Sequence, residues 1–160
     1  MQITLGGQTV VTATEQWRAD IRAGRAFGKG DFAGPVAGQY AHMQLLNPGG
    51  SGKQVIIRSV ILSHDGTSKV QIARYDTACA TDISAGANML IGGAAGVAHL
   101  RLETSAGLLG TVLFQLNALT SDPVFPVPDW FCELSPGQGI VARMNIVNLT
   151  LEANFFWVEG

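Results

Sequence analysis

The most regular hydrophobic pattern lies in the last 26 residues, from Ser135 to Gly160. Apolar side chains take alternate positions in two consecutive runs, which are Ile140, Ala142, Met144 and Ile146, then Leu149, Leu151, Ala153, Phe155 and Trp157. A period of two sends alternate side chains to opposite faces of a β-sheet. The pattern therefore predicts a hairpin with a tight turn at Asn148, and its apolar face needs a second sheet to cover it.

A similar pattern appears between residues 40 and 75, in the segments YAHMQLL, QVIIRSVILS and SKVQIARY. The turn sequences NPGGSGK and HDGT separate these segments. The middle segment is rich in β-branched residues and apolar on both faces, which is typical of a strand covered on both sides. We predict three antiparallel strands in a row in this part of the chain.

Residues 76 to 98 form a long connection in which glycine and alanine dominate. A connection of this length is functional or crosses from one sheet to the other. Its apolar part, residues 85 to 98, packs on the domain itself or contacts a membrane or partner. Further alternation after residue 98 brings the prediction to about eight main strands from residue 40 onward. The expected fold is an all-β, antiparallel two-sheet sandwich, jelly-roll-like, over residues 39 to 160.

The first 38 residues have a different character, and we interpret them as an irregular N-terminal arm. The segments MQITL and QTVVTA predict short strands, and the spacing of Trp17 and Ile21 indicates a helix of one or two turns. Four basic residues follow within a charge-poor chain, with Asp20 as their nearby counter-charge. They form either a solvated face or an arm that docks on an acidic partner. The candidate partner-binding residues are Trp17, Arg18, Arg22, Arg25, Phe27, Lys29 and Trp130.

Composition suits a single domain of 160 residues with many turns. Charged residues make up 14% of the chain, whereas about 25% is typical of soluble domains. The low charge also suits a protein whose surface is largely covered by neighbours. A formal net charge of −2 argues against a strongly basic nucleic-acid binder. Cys79 and Cys132 are expected to be free thiols, and neither a secretory signal nor a membrane span is apparent.

Catalytic and cofactor motifs are not recognisable in the sequence. The segment GGSGK lacks the Ser or Thr and the following helix of a phosphate-binding loop. The three histidines, His42, His64 and His99, do not form a pair with metal-ligand spacing. A cupin-like enzyme is therefore the least favoured interpretation, and we expect a protein without catalytic residues, cofactor or metal.

Two segments resemble small structural proteins of tailed-bacteriophage virions. The first, from Gln39 to Gly52, has the form QYxHxQLxNPxxSG, and the second, from Pro136 to Glu159, has the form PGxG…L…xFxWxE. In such proteins the first segment opens the β domain and the second closes it. The resemblance implies a multimeric β-sandwich, assembled in the host cytoplasm and located on the virus particle.

The resemblance and the small size together favour a capsid decoration or cement protein. We expect such a protein to form a homo-oligomer, namely a trimer, and to bind the major capsid protein or another virion protein. The alternative is a receptor- or glycan-binding module of the tail or of a head fibre, with Trp130 among its binding residues. The sequence does not decide between capsid, neck and tail.

Overall fold

The protein is a sandwich of two antiparallel β-sheets with one short helix, as seen in a computed structural model that describes residues 3–5, 8–10, 13–118 and 132–160. In chain order the elements are β1 (Ile3–Leu5), β2 (Gln8–Val10), α1 (Ala13–Arg22), β3 (Ala26–Ala33), β4 (Tyr40–Leu46), β5 (Val55–His64), β6 (Ser68–Arg74), β7 (Thr81–Ala85), β8 (Ala87–Asn88), β9 (His99–Ser105), β10 (Thr111–Ala118), β11 (Cys132–Leu134), β12 (Gly139–Met144) and β13 (Leu151–Glu159). The predicted fold class is therefore confirmed.

The two sheets differ in size and are interleaved along the chain. The six-stranded sheet has the order β10-β6-β12-β4-β9-β7, and the five-stranded sheet has the order β11-β5-β13-β3-β8. From β3 to β6, each strand crosses to the opposite sheet, and the same happens from β11 to β13. Repeated crossing between two layers is the connectivity that a jelly-roll-like sandwich requires. Strands β1 and β2 form a separate two-stranded hairpin.

The predicted hairpin of the last 26 residues is wrong, although its strands and its inward faces are right. Strand β12 pairs with β4 and β6, whereas β13 pairs with β3 and β5 in the other sheet. The turn residue Asn148 has a φ of 65°, and its side chain accepts a hydrogen bond from the Gly38 amide. The turn therefore carries the chain from one layer to the other, so that the two apolar faces meet across the core instead of lying side by side.

The predicted row of three strands between residues 40 and 75 is also wrong. Strand β5 lies in the five-stranded sheet, while β4 and β6 lie on either side of β12 in the six-stranded sheet. Within the described residues, ten strands follow residue 40, two of which lie inside the long connection. That connection crosses between the sheets as expected, since β7 pairs with β9 and β8 pairs with β3.

The sandwich includes a strand that the sequence assigned to the arm. Strand β3 pairs with β13 along its whole length and with β8 at its start, so it lies inside the five-stranded sheet. Its apolar signal is weak because Gly28 and Gly30 occupy two of its positions. The predicted helix and the two predicted N-terminal strands do form.

The core lies between the two sheets and is built from the alternating residues of the long strands. Trp157 and Phe155 are its largest fully buried side chains. The indole of Trp157 stacks on the ring of Phe27, with ring centroids 6.1 Å apart and an interplanar angle of 24°. Burial of one such aromatic side chain contributes on the order of 2–3 kcal/mol, so these rings anchor β3 and β13 to each other.

Candidate functional site

The two segments that carry the resemblance lie next to each other in the fold. Strand β4 comes from the first segment and β12 from the second, and the two strands are paired. Beyond the strands, the Asn47 amide donates to the carbonyl of Gln138 at 2.9 Å, and the Gly137 amide donates to the carbonyl of Asn47 at 2.8 Å. The similarity therefore describes one continuous structural unit rather than two separate features.

The polar residues of the first segment are buried and hold loops in place. The Gln44 amide nitrogen donates to the carbonyls of Tyr75 and Thr77 at 2.7 and 2.9 Å, and its oxygen accepts from the Cys79 amide at 2.8 Å. The Asn47 side chain donates to the carbonyls of Lys53 and Leu134 at 2.8 and 2.9 Å. Because buried polar groups must be paired, these two residues fix the loops by satisfying their backbone groups.

Glu159, in the second segment, is also a buried polar residue that holds a loop in place. One carboxylate oxygen accepts hydrogen bonds from the amides of Val97 and Ala98 and from the indole of Trp157, at 2.7, 3.1 and 3.1 Å. The other oxygen lies 3.4 Å from the Lys53 ammonium. This buried carboxylate is fully occupied by structural partners, so it is not available for chemistry.

Arg143 and His42 are buried polar residues that hold the loop before β10. The Arg143 guanidinium donates to the side chain of Gln71 at 2.9 Å and to the carbonyls of Leu109 and Gly110. The amide of Leu109 donates in turn to a ring nitrogen of His42 at 3.3 Å. Burial lowers the pKa of His42, so the neutral ring that accepts this bond is favoured. These groups also serve the structure.

Among the basic residues of the N-terminal segment, two are exposed to solvent and one is held by an ion pair. Arg18 and Arg22 are exposed on α1, one helical turn apart. The guanidinium of Arg25 instead lies 2.7 Å from the buried carboxylate of Asp20, which also faces Arg58 of β5 at 3.8 Å. These two ion pairs fix the helix on the outer face of the five-stranded sheet, and Arg18 and Arg22 remain on its solvent side.

The other predicted binding residues are scattered. Trp17 is half-buried, and Lys29 is half-buried on β3. Phe27 lies in the hydrophobic core and is therefore not a surface residue of the protomer. Trp130 lies outside the described residues. The structure thus brings Arg18 and Arg22 together on one surface and removes Phe27 from it.

A groove of about 470 Å³ opens at the opposite end of the same sheet face. Its lining contains three carboxylates and no lysine or arginine, namely Gly30, Asp31, Phe32, Ser63, His64, Asp65, Thr150, Glu152 and Asn154. Phe32 is 62% exposed at its edge. Both ring nitrogens of His64 are buried without a hydrogen-bond partner among the described residues. A hydrogen bond from Thr150 lowers the pKa of Asp65, so this carboxylate is charged at neutral pH.

Several large apolar side chains are exposed to solvent. Ile91 is 100% exposed, and Leu113 on the edge strand β10 is 54% exposed. Ile91 lies in a loop that is held in shape by Asn88, which donates to the carbonyls of Gly24 and Ala94 and accepts from the amide of Leu90. Met89 and Leu90, which precede Ile91, are 38% and 41% exposed, and adjoining exposed apolar residues are typical of contact surfaces. The sequence indicated this segment as apolar but favoured its packing on the domain.

The remaining histidines and the two cysteines lie apart from one another within the residues described. His99 pairs with Asp82 at 3.0 Å at the surface, far along the chain from the other histidines. Across residues 13–118 and 132–160, no three side chains of the histidine, cysteine and acidic types converge on a possible metal position. Burial raises the pKa of the Cys79 thiol to about 12 and that of Cys132 to about 11. Neither thiol forms a disulfide.

The groove and the exposed apolar residues were not predictable as sites, because their members are far apart in sequence. His64 ends β5 and Asp65 lies in the turn after it, Glu152 belongs to the last strand, and Phe32 to a segment interpreted as an arm. One signal was available, namely the pair Gly28 and Gly30, since glycines in a strand often mark a close approach of other groups.

Comparisons with known proteins do not assign a family to the chain. No protein-family model matches it, and neither a curated protein nor a solved structure does. Among the helices in the described part of the chain, none has the length and apolar character needed to cross a lipid bilayer.

Proposed function

We propose that the protein is a structural subunit of a tailed-phage virion, and that it decorates or cements the capsid shell. The proposal has two supports. The resemblance of residues 39–52 and 136–159 points to virion structural proteins, and the surface of the fold suits a subunit of a larger assembly. In this role the protein acts through contacts and not through catalysis.

The observation that carries the assembly role is the exposure of large apolar side chains on a rigid framework. Phe32 on β3, Ile91 in the loop held by Asn88 and Leu113 on the edge strand β10 are each more than half exposed, and Met89 and Leu90 beside Ile91 are exposed as well. An isolated protein gains nothing from such residues, but a subunit buries them against its neighbours. Removal of apolar surface from water contributes about 25 cal/mol for each Å², before the entropy cost of association.

Because the contact between this protein and the shell is repeated over the particle, a weak contact at each position can stabilise the whole shell. A decoration protein occupies many equivalent positions, so each copy need supply only a few kcal/mol to the seam that it covers. The low content of charged residues is consistent with this role, because a surface that is buried in an assembly needs less charge for solubility.

The test is to remove the gene from the phage that encodes the chain and to measure the heat stability of its shells. We expect particles that melt at a lower temperature and that regain stability when the purified protein is added back. The variant Ile91→Asp should restore less stability than the wild type, whereas Gln54→Glu, at another exposed position, should restore it fully. Unchanged stability of particles that lack the protein would refute the proposal.

A second candidate is a glycan-binding module, which the groove at Phe32 favours. Carboxylate and amide groups bind sugar hydroxyls, and an exposed aromatic ring packs on the apolar face of a sugar. Glu152 and Asn154 lie beside Phe32 in this way. A glycan array probed with the wild type and with Phe32→Ala tests this candidate. A glycan-binding module should bind a sugar as the wild type and lose that binding in the variant.

A further inference from the structure

The outer face of the five-stranded sheet carries opposite charges at its two ends. At one end, α1 forms a ridge with the exposed guanidinium groups of Arg18 and Arg22. At the other end lies the acidic groove with Asp31, Asp65 and Glu152. Strand β3 runs from one end to the other, and six residues separate Ala26 beside the helix from Phe32 at the groove. This is about 20 Å at 3.3 Å for each residue.

At this separation the two charged ends do not neutralise each other within one protomer. The Debye length at physiological ionic strength is about 8 Å, so solvent screens most of the attraction between them. Arg18 and Arg22 make no salt bridge within the described residues. Both ends are therefore available to charges of another molecule.

The surface between the two ends is flat and partly apolar. Gly28 and Gly30 have no side chains, and they face Phe156 and Asn154 of β13. On the neighbouring strand, Ile61 lies opposite Asn154 and is half-buried. The Phe156 ring and the Asn154 side chain fill the space beside these glycines, so the surface between the two ends is formed mainly by side chains of β13 and β5.

The groove is acidic, although two of its carboxylates already accept hydrogen bonds within the chain, Asp31 from the amide of Phe32 and Asp65 from the amide of Thr150. Glu152 is exposed at its edge, and no lysine or arginine lines the groove, so the residues that form it do not neutralise its negative charge. A guanidinium group supplies five N–H donors and a positive charge. An arginine side chain is thus the chemical complement of this groove.

We propose that two copies of this chain pack these faces together about a two-fold axis, with the Arg18 and Arg22 side chains of each copy in the acidic groove of the other. A two-fold contact brings the same patch of both subunits together, so a patch can pair with itself when its two ends are complementary. Here the ridge and the groove are complementary in charge. The contact does not depend on the virion role proposed above, since it requires only this chain.

The size of the face indicates a reversible dimer. The nine residues of β13 extend over about 30 Å, and three neighbouring strands cover about 14 Å across. The resulting flat area of about 400 Å² for each copy, or about 800 Å² in total before side chains and α1 enlarge it, is below the standard size of specific interfaces and fits a weak contact. We therefore expect association in the micromolar range, weakened by salt because charge pairs contribute to it.

Sedimentation velocity of the full chain between about 5 and 200 μM tests the proposal directly. We expect a species of twice the protomer mass of 16.8 kDa, with dimer formation reduced in 1 M NaCl. Arg18→Glu with Arg22→Glu should abolish the dimer, and so should Asp31→Lys with Glu152→Lys. A chain with all four changes exchanges the charges of the two ends, so it should form the dimer again. Arg74→Glu, on the other sheet, is the matched control and should leave the dimer unchanged.

A cross-link keeps the proposal testable if a charge variant fails to fold. Arg22→Cys and Glu152→Cys in one chain should form covalent dimers on mild oxidation, and Arg22→Cys alone should not. A protomer mass up to 200 μM would overturn the proposal, and so would a trimer, covalent ladders longer than dimers, or a dimer that withstands both charge reversals. Sugar binding in the groove of a monomeric protein would also overturn it.

Discussion

Gln44 offers the sharpest test of the buried polar framework, because three backbone groups depend on its side chain. Leucine has a similar size but removes the bonds to the carbonyls of Tyr75 and Thr77 and to the amide of Cys79. A typical hydrogen bond contributes about 1 kcal/mol net, and a buried amide left without a partner costs about 1–3 kcal/mol more. The expected loss for Gln44→Leu, three bonds plus the stranded amide of Cys79, is therefore about 4–6 kcal/mol.

This loss is large compared with a total stability of about 5–15 kcal/mol. The free energy of unfolding can be measured in urea by tryptophan fluorescence, and the melting temperature by circular dichroism. Since 1 kcal/mol shifts the melting temperature of a domain of this size by about 2–4 °C, we expect a decrease of about 8–24 °C. Gln54→Leu, at an exposed position whose side chain makes no hydrogen bond to the described residues, should change stability by less than about 0.5 kcal/mol. A Gln44→Leu protein within 1 kcal/mol of the wild type would refute the reasoning.

A glutamate at the same position should make the loss depend on pH. One oxygen of Gln44→Glu still accepts from the Cys79 amide, but the other faces two carbonyl oxygens to which the amide donated. The protonated acid is favoured there, so its folded pKa rises above the unfolded value of about 4.3. The free energy of unfolding of Gln44→Glu, relative to the wild type, should then be highest below pH 4. It should fall as the pH rises from the unfolded pKa to the raised folded pKa. A penalty that does not change with pH would contradict the assigned geometry.

Three further predictions concern other buried positions. Because burial lowers the pKa of His42 below 6.5, protonation opposes folding, so wild-type stability should rise with pH up to about 6.5, and His42→Gln should flatten that part of a pH series of urea melts. A Cβ at Gly86 would lie 2.1 Å from the indole of Trp157, so Gly86→Ala should cost about 1–3 kcal/mol, whereas Gly107→Ala has open space and should be neutral in the same urea melts. The Cys79 thiol, with a pKa of about 12, should react with a thiol reagent at pH 8 only after unfolding, and rapid labelling of the native protein by mass spectrometry would contradict its burial.

The alternation of apolar residues predicted the strands and their inward faces, but it could not predict which strands pair. In β12 and β13 a period of two tells which side chains meet the core, and the same pattern fits a hairpin or two strands in opposite sheets. The outcome depends on the turn near Asn148, which redirects the chain by a few dihedral angles. Topology of this kind follows from the whole core and not from a local sequence pattern.

The functional surface was less predictable than the fold for a different physical reason. Arg25 and Arg18 look alike in the sequence, yet Arg25 is held by a buried carboxylate whereas Arg18 faces solvent. Phe27 seemed suited to a partner, but its ring stacks on Trp157 in the core. Distant residues decide these differences. The groove likewise joins residues from three strands, so its acidic character appears only after folding.

The central claim is that this sandwich serves as a structural subunit of a phage particle, and its position in that particle tests the claim most directly. Cryo-electron microscopy of virions from the phage that encodes the chain should show the two-sheet domain in many copies on the shell, with Ile91 buried against a neighbouring subunit. Purified particles in which the protein occupies no position, although it is made during infection, would contradict the account.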